Sequence, residues 1–214
     1  MKNVVNRAPG EQRKTFFPLA AKKKFITLLL LAVTMSAFAE DHLKFMGIPI
    51  NGQLTTFCQQ LEKKNFKLEK AHADRARYEG SFTGKTVCVI VEATPKTHTV
   101  CDVLVAYKDN RTWEEMEDLY SGLKEQLTAK YDEPVEWHQL GDAPKNASFM
   151  DIQRKLADAE LTRRAIFKTE TGTIDLGIDN LRLYGGWDGV PHTYIIYIDK
   201  ANTTKSDQEA FDDL

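Results

Sequence analysis

Two β-branched runs, Thr86–Glu92 and Thr99–Tyr107, stand on either side of the turn residues Thr94–Thr97, which read Thr-Pro-Lys-Thr. Runs of this kind joined by a short turn specify an antiparallel hairpin. An isolated hairpin is marginal in water, so the rest of the chain has to supply neighbouring strands and a layer that covers their apolar face. The flanking segments read that way.

Leu43–Ile50 is extended and ends in a turn at Asn51-Gly52, after which Leu54, Phe57, Cys58 and Leu61 follow helical spacing. Arg75–Phe82 alternates as a strand with Gly84 behind it. Downstream of the hairpin, Thr112 and Glu115 form a capping box. It opens a helix whose apolar stripe is Trp113, Met116, Leu119, Tyr120, Leu123 and Leu127. Pro134 ends that helix, and a polar loop follows over 141–147. Ser148 caps a further helix through Phe149, Ile152, Leu156 and Ala159, and Arg164–Lys168, Thr173–Leu181 and Tyr194–Asp199 read as strands. The order α-β-β-β, long α, α-β-β-β predicts an α+β domain over residues 40–200, with an antiparallel sheet and helices on one face. It divides into two αβββ halves, 43–134 and 147–200, followed by a polar tail at 201–214.

Ahead of this domain, Lys22–Ala39 runs KKKFITLLLLAVTMSAFA, three lysines, an apolar stretch and the small-x-small close Ala37-Phe38-Ala39. That succession is a secretory signal peptide with its cut predicted after Ala39, and the apolar stretch is shorter than the roughly 20 residues a bilayer requires. The expected location is the periplasm or the exterior, with no membrane insertion after cleavage. The whole chain has 29 basic and 31 acidic residues. Cleavage would remove seven basic residues and one acidic residue, leaving 22 against 30 and a net charge of −8. An acidic protein is repelled by phosphate backbones and anionic lipid surfaces, which excludes nucleic acid as an expected partner.

KFMGIPINGQLTTFCQQLEKKNF, TWEEMEDLYSGLKEQLTAKYDEP and YIIYIDKAN, together with the cysteine-bearing hairpin, resemble a group of exported α+β proteins of Gram-negative gut bacteria over most of residues 43–202. The resemblance implies export and the fold class, and it brings no activity or site residue with it. In helix-then-sheet order the chain is also similar to small β-lactamase-inhibitor and outer-membrane-assembly-lipoprotein modules, a likeness of shape that carries no function.

The chemical candidates are few. Cys58, Cys88 and Cys101 are disulfide candidates in an oxidising compartment, and three single pairings are open. A four-residue loop would set Ala93 opposite His98 and Ile90 opposite Cys101, leaving Cys88 diagonal to Cys101. A Cys88–Cys101 bond would brace the hairpin. His98 is an odd number of residues from Cys101, so strand parity keeps it from sharing a metal or a proton with that thiol. His42, His72, His138 and His192 lack ligand spacing, so no metal and no cofactor is expected. Ser121-Gly122-Leu123-Lys124 matches a Ser-x-x-Lys pattern, but it falls in mid-helix with none of the companion elements that chemistry needs. Glu114, Glu115, Glu117 and Asp118 open a helix, where the dipole favours acids, and read as a solvated face. There is no nucleophile elbow, phosphate loop, dinucleotide fingerprint or calcium loop.

The remaining candidate is Leu181–His192, LRLYGGWDGVPH, in which Tyr184 and Trp187 offer flat apolar surface and Asp188 and His192 offer polar contacts for a ligand or partner. The leading expectation is therefore an exported, non-catalytic binding or interaction module for an unidentified protein or small ligand of the envelope. The alternatives are a periplasmic hydrolase assembled from Asp175, Asp179, Asp188 and His192, and an inhibitor of an envelope enzyme. A deep pocket holding two or more of those groups would favour the hydrolase.

Overall fold

The computed structural model describes residues 41–108, 112–144, 146–181 and 189–211. Residues 1–39, where a signal peptide is expected, and the loop residues Tyr184, Trp187 and Asp188 lie outside the described residues.

The first half opens with a two-stranded ribbon, Lys44–Phe45 (β1) and Ile48–Pro49 (β2), followed by the helix Leu54–Glu62 (α1). Four strands come next: Lys67–Ala71 (β3), Arg75–Phe82 (β4), Lys85–Ala93 (β5) and Val100–Tyr107 (β6). The long helix Trp113–Tyr131 (α2) carries the Thr112/Glu115 capping box in full, with both reciprocal hydrogen bonds present. The second half contains Glu136–Leu140 (β7), the helix Phe149–Ala157 (α3) and the strands Thr162–Lys168 (β8), Gly172–Leu181 (β9) and Val190–Asp199 (β10). It closes with the helix Lys200–Phe211 (α4).

The fold is α+β. One eight-stranded antiparallel sheet has the order β3-β4-β5-β6-β10-β9-β8-β7. Each half contributes a four-stranded meander, and the two meanders join through their last strands, with Ile196 opposite Leu104 and Ile198 opposite Asp102. Side chains alternate across the sheet. Val87, Val89 and Val91 of β5 and Val103, Val105 and Tyr107 of β6 face the helices in one large core cluster. Cys88, Ile90 and Ala106 form a small cluster on the other face, with Leu104 and Leu181 against it. Helix α1 packs on β4 and β5, α2 across β8, β9 and β10, and α3 on β9 and β10. Phe57, Leu61, Met116, Tyr120, Leu123 and Ile152 are their buried contributions.

Three local expectations are corrected. Leu43–Ile50 does not run straight: it doubles back at Met46-Gly47, both with positive φ (50° and 80°), to make the β1–β2 ribbon. Strands β3 and β7 went unread because every residue in both is exposed, so neither shows apolar alternation. The register of the central hairpin also differs. Ala93 lies opposite Val100, Ile90 opposite Leu104 and Cys88 opposite Ala106, with a bulge after Glu92. The turn sets this register: Thr94 N–H donates to the Thr99 carbonyl (2.8 Å), and His98 takes a left-handed φ of 51°.

Candidate functional site

The two main helices cover different halves of the sheet, and a cleft opens between α2 and the tip of the β4–β5 hairpin. Its outer compartment, about 440 Å³, is walled by Thr83 and Lys85 of the hairpin and by Glu115, Asp118, Gly122 and Gln126 of α2. An inner compartment of about 210 Å³ is floored by Phe82, Ile195 and Tyr197, with Leu127, Lys130 and Tyr131 along the helix. Thr83, Leu123 and Gln126 line both compartments, so the two are continuous.

Two residues of the cleft are poor choices for their local structure. The hairpin turns through Thr83-Gly84, with Phe82 opposite Lys85 and φ values of 50° and 78° at the two turn residues. A two-residue turn of this hand favours Asn, Asp or Gly, and a β-branched side chain there is strained by about 1–3 kcal/mol. The Thr83 hydroxyl donates to its neighbour's carbonyl, Phe82 O (2.8 Å), and lies 3.1 Å from the phenol oxygen of Tyr107. Tyr107 is fully buried, and burial pushes its phenol up to about 12 although the Thr83 hydroxyl works the other way. The second residue is Gly122, in the middle of α2, where glycine costs about 1 kcal/mol relative to alanine. Nothing in the fold requires it, since a methyl group added there would meet no atom within 4 Å.

Charge is distributed across the walls. Lys85 comes from the hairpin and Asp118 from the helix, and among the described residues neither has a hydrogen-bond or ion-pair partner. Asp118 therefore lines the cleft, and Glu117 departs further from the solvated-face reading. Its carboxylate binds the buried Arg163, with Nε at 2.8 Å and Nη2 at 2.5 Å. Arg163 also donates to the carbonyls of Leu140, Gly141 and Thr162.

The disulfide candidates are distributed so that they do not meet. Cys58, Cys88 and Cys101 are free thiols. Cys88 pairs with Ala106, five positions along β6 from Cys101. That is on the order of 17 Å of strand, against the ~7 Å limit for a bridge, which corrects the diagonal juxtaposition expected above. Cys58 lies on α1 within hydrogen-bond reach of Tyr78 on the helix side, whereas Cys88 belongs to the other face. Burial raises all three thiols, Cys88 to about 11 and Cys101 to about 12.

Of the groups weighed for hydrolysis, Asp175 and His192 are engaged elsewhere, and Asp188 lies outside the described residues. Asp175, 6% exposed, is held by Arg164 through Nε at 3.1 Å and Nη2 at 2.7 Å. His192 lies opposite Asp179 in the sheet, but its Nδ1 is 2.8 Å from the Tyr107 carbonyl oxygen. Burial lowers the His192 imidazole, the contact with that carbonyl opposes the shift, and Lys108 adds to it. The cavity of about 100 Å³ that holds Asp179 is lined by neither Asp175 nor His192. Ser121 is exposed in mid-helix, and Lys124 points away from it onto the Trp137 ring, 3.8 Å from the centroid.

Sequence reasoning missed the cleft. The signals that could have found it are Gly122 within a strong helical pattern and Thr83 before Gly84 at a hairpin tip. No protein-family model matches the chain, and neither the curated proteins nor the solved structures contain a match to it.

Proposed function

We propose that the protein is an exported, non-catalytic binding module whose ligand occupies the cleft between α2 and the β4–β5 hairpin. One observation carries this reading. The two positions at which local sequence works against local stability, Thr83 and Gly122, face each other across the same cavity. Natural sequences break local rules where function requires it. Gly122 keeps the helical wall low, and the Thr83 turn brings a hydroxyl to the junction of the two compartments. An apolar floor with a few convergent polar groups is the usual composition of a ligand site.

Export rests on the Lys22–Ala39 pattern, and N-terminal sequencing of the protein recovered from an envelope fraction tests it: a start at Glu40 is expected. The site is tested by titrating ¹⁵N-labelled residues 40–214 with a library of small apolar and amphipathic compounds. Amide shifts are expected to gather at Thr83–Lys85 and Leu119–Gln126, and to vanish in a Gly122→Trp variant that keeps its melting temperature. Shifts gathered elsewhere, or unchanged by Gly122→Trp, would overturn the site.

A further inference from the structure

The ligand's chemistry follows from what the cleft leaves unsatisfied. The ammonium of Lys85 stands on one wall and the carboxylate of Asp118 on the other, and among the described residues neither is neutralised by the protein. Exposed opposite charges on facing walls attract a ligand with the reversed arrangement, an anionic end toward Lys85 and a cationic end toward Asp118. Gln126, on the same cavity, offers an amide donor and acceptor that fit peptide-bond C=O and N–H groups, while the Thr83 hydroxyl, which donates to Phe82 O, offers only an acceptor. Beneath lies the inner compartment, where Phe82, Tyr131, Ile195 and Tyr197 are available to one or two hydrophobic side chains and Lys130 stands on the helical side. A free amino acid carries both charges on a single carbon, which suits one wall. Two or three residues in extended conformation separate the termini by about 7–10 Å, so the two ends can address different walls.

We propose that the cleft binds a short zwitterionic peptide of two or three residues with apolar side chains, its free amino terminus at Asp118 and its free carboxylate at Lys85. This rests on the reading of the cleft as the binding site. Glu115 also lines the outer compartment and adds negative potential at the Asp118 end. Its carboxylate accepts from the Thr112 amide (3.1 Å) and is held in place by that cap.

The test uses the dipeptide Leu-Phe, its N-acetyl and C-amide derivatives and free leucine, measured by calorimetry and by amide shifts on residues 40–214. Leu-Phe is expected to move the Thr83–Lys85 and Leu119–Gln126 signals, with each capped derivative at least tenfold weaker and free leucine weaker still. Asp118→Asn should abolish the discrimination against the acetylated peptide, and Lys85→Gln the discrimination against the amide. Both residues are exposed, so both variants are expected to fold normally. Equal binding of free and capped peptides at the cleft would overturn the zwitterionic ligand and leave the site standing. No shift with any of the peptides, while neutral apolar probes still move the same signals, would overturn the peptide and again spare the site. Loss of every cleft response, probes included, would remove both.

Discussion

The carboxylate of Glu209, on the last turn of α4, accepts a 2.5 Å hydrogen bond from the hydroxyl of Thr97, 112 positions earlier in the chain. The amides of Lys96 and Thr97 donate to its other oxygen at 2.8 and 3.2 Å. Burial alone would raise this acid, but the Thr97 hydroxyl and the two amides outweigh it and hold the carboxyl at about 2. The unfolded value is near 4.5, so the contribution to stability is complete above that pH and is lost as pH falls toward 2. Glu209→Gln is expected to flatten that acid limb and to speed hydrogen exchange at Lys96 and Thr97. Unchanged exchange at both amides would show that α4 is held by other means.

Asp102 gives the opposite slope. Burial raises its carboxyl to about 7, the neighbouring Glu92 carboxylate adds to the effect, and Cys101 and Arg75 oppose it. A raised acid binds its proton more tightly folded than unfolded, so stability should fall as pH rises from about 4 to 7 and then level. Asp102→Asn is expected to remove that decline and to be more stable than the parent at pH 8. Urea denaturation of both proteins at several pH values measures it.

Replacing the two cleft residues should strengthen the fold. Gly122→Ala places a methyl group in open space within a helix and is expected to add about 0.5–1 kcal/mol. Thr83→Asn relieves a left-handed threonine and should add about 1 kcal/mol. Melting temperatures check both, and a loss of stability in either variant would remove the argument that these residues are retained for the cleft.

The three thiols should be present and slow. Burial raises each above the ordinary range, which leaves little thiolate at neutral pH. Alkylation without reductant is expected to label all three in denaturant. In the folded protein Cys88, fully buried, should react last and the half-buried Cys58 first. Peptide mass mapping of the labelled sites reads the order directly, and recovery of only one labelled thiol in denaturant would establish a bridge between the other two.

The legible parts of the fold were those in which periodicity and burial coincide. Trp113, Met116, Tyr120, Leu123 and Leu127 repeat at helical spacing because they share one buried face, and the capping box marks where that helix begins. Strand β5 is buried on both faces and stood out as a β-branched run, and β9 stood out through the alternation of Ile174, Leu176 and Ile178. The edge strands were silent because nothing along them is buried. The hairpin register escaped because His98 is bound into the turn and takes no place in β6, which moves every later pair. The cleft is a matter of tertiary arrangement. Lys85 and Asp118 are 33 positions apart in sequence, and only the packing of α2 beside the hairpin tip makes them neighbours of one cavity.

The joint between β6 and β10 makes the middle of the sheet depend on one late strand. Without Val190–Asp199, β6 and β9 are both raw borders, and neither meander has the partner that closes it. β10 works as a keystone. A chain cut short before it is a pair of unfinished half-sheets with sticky inner margins, open to pairing with another chain.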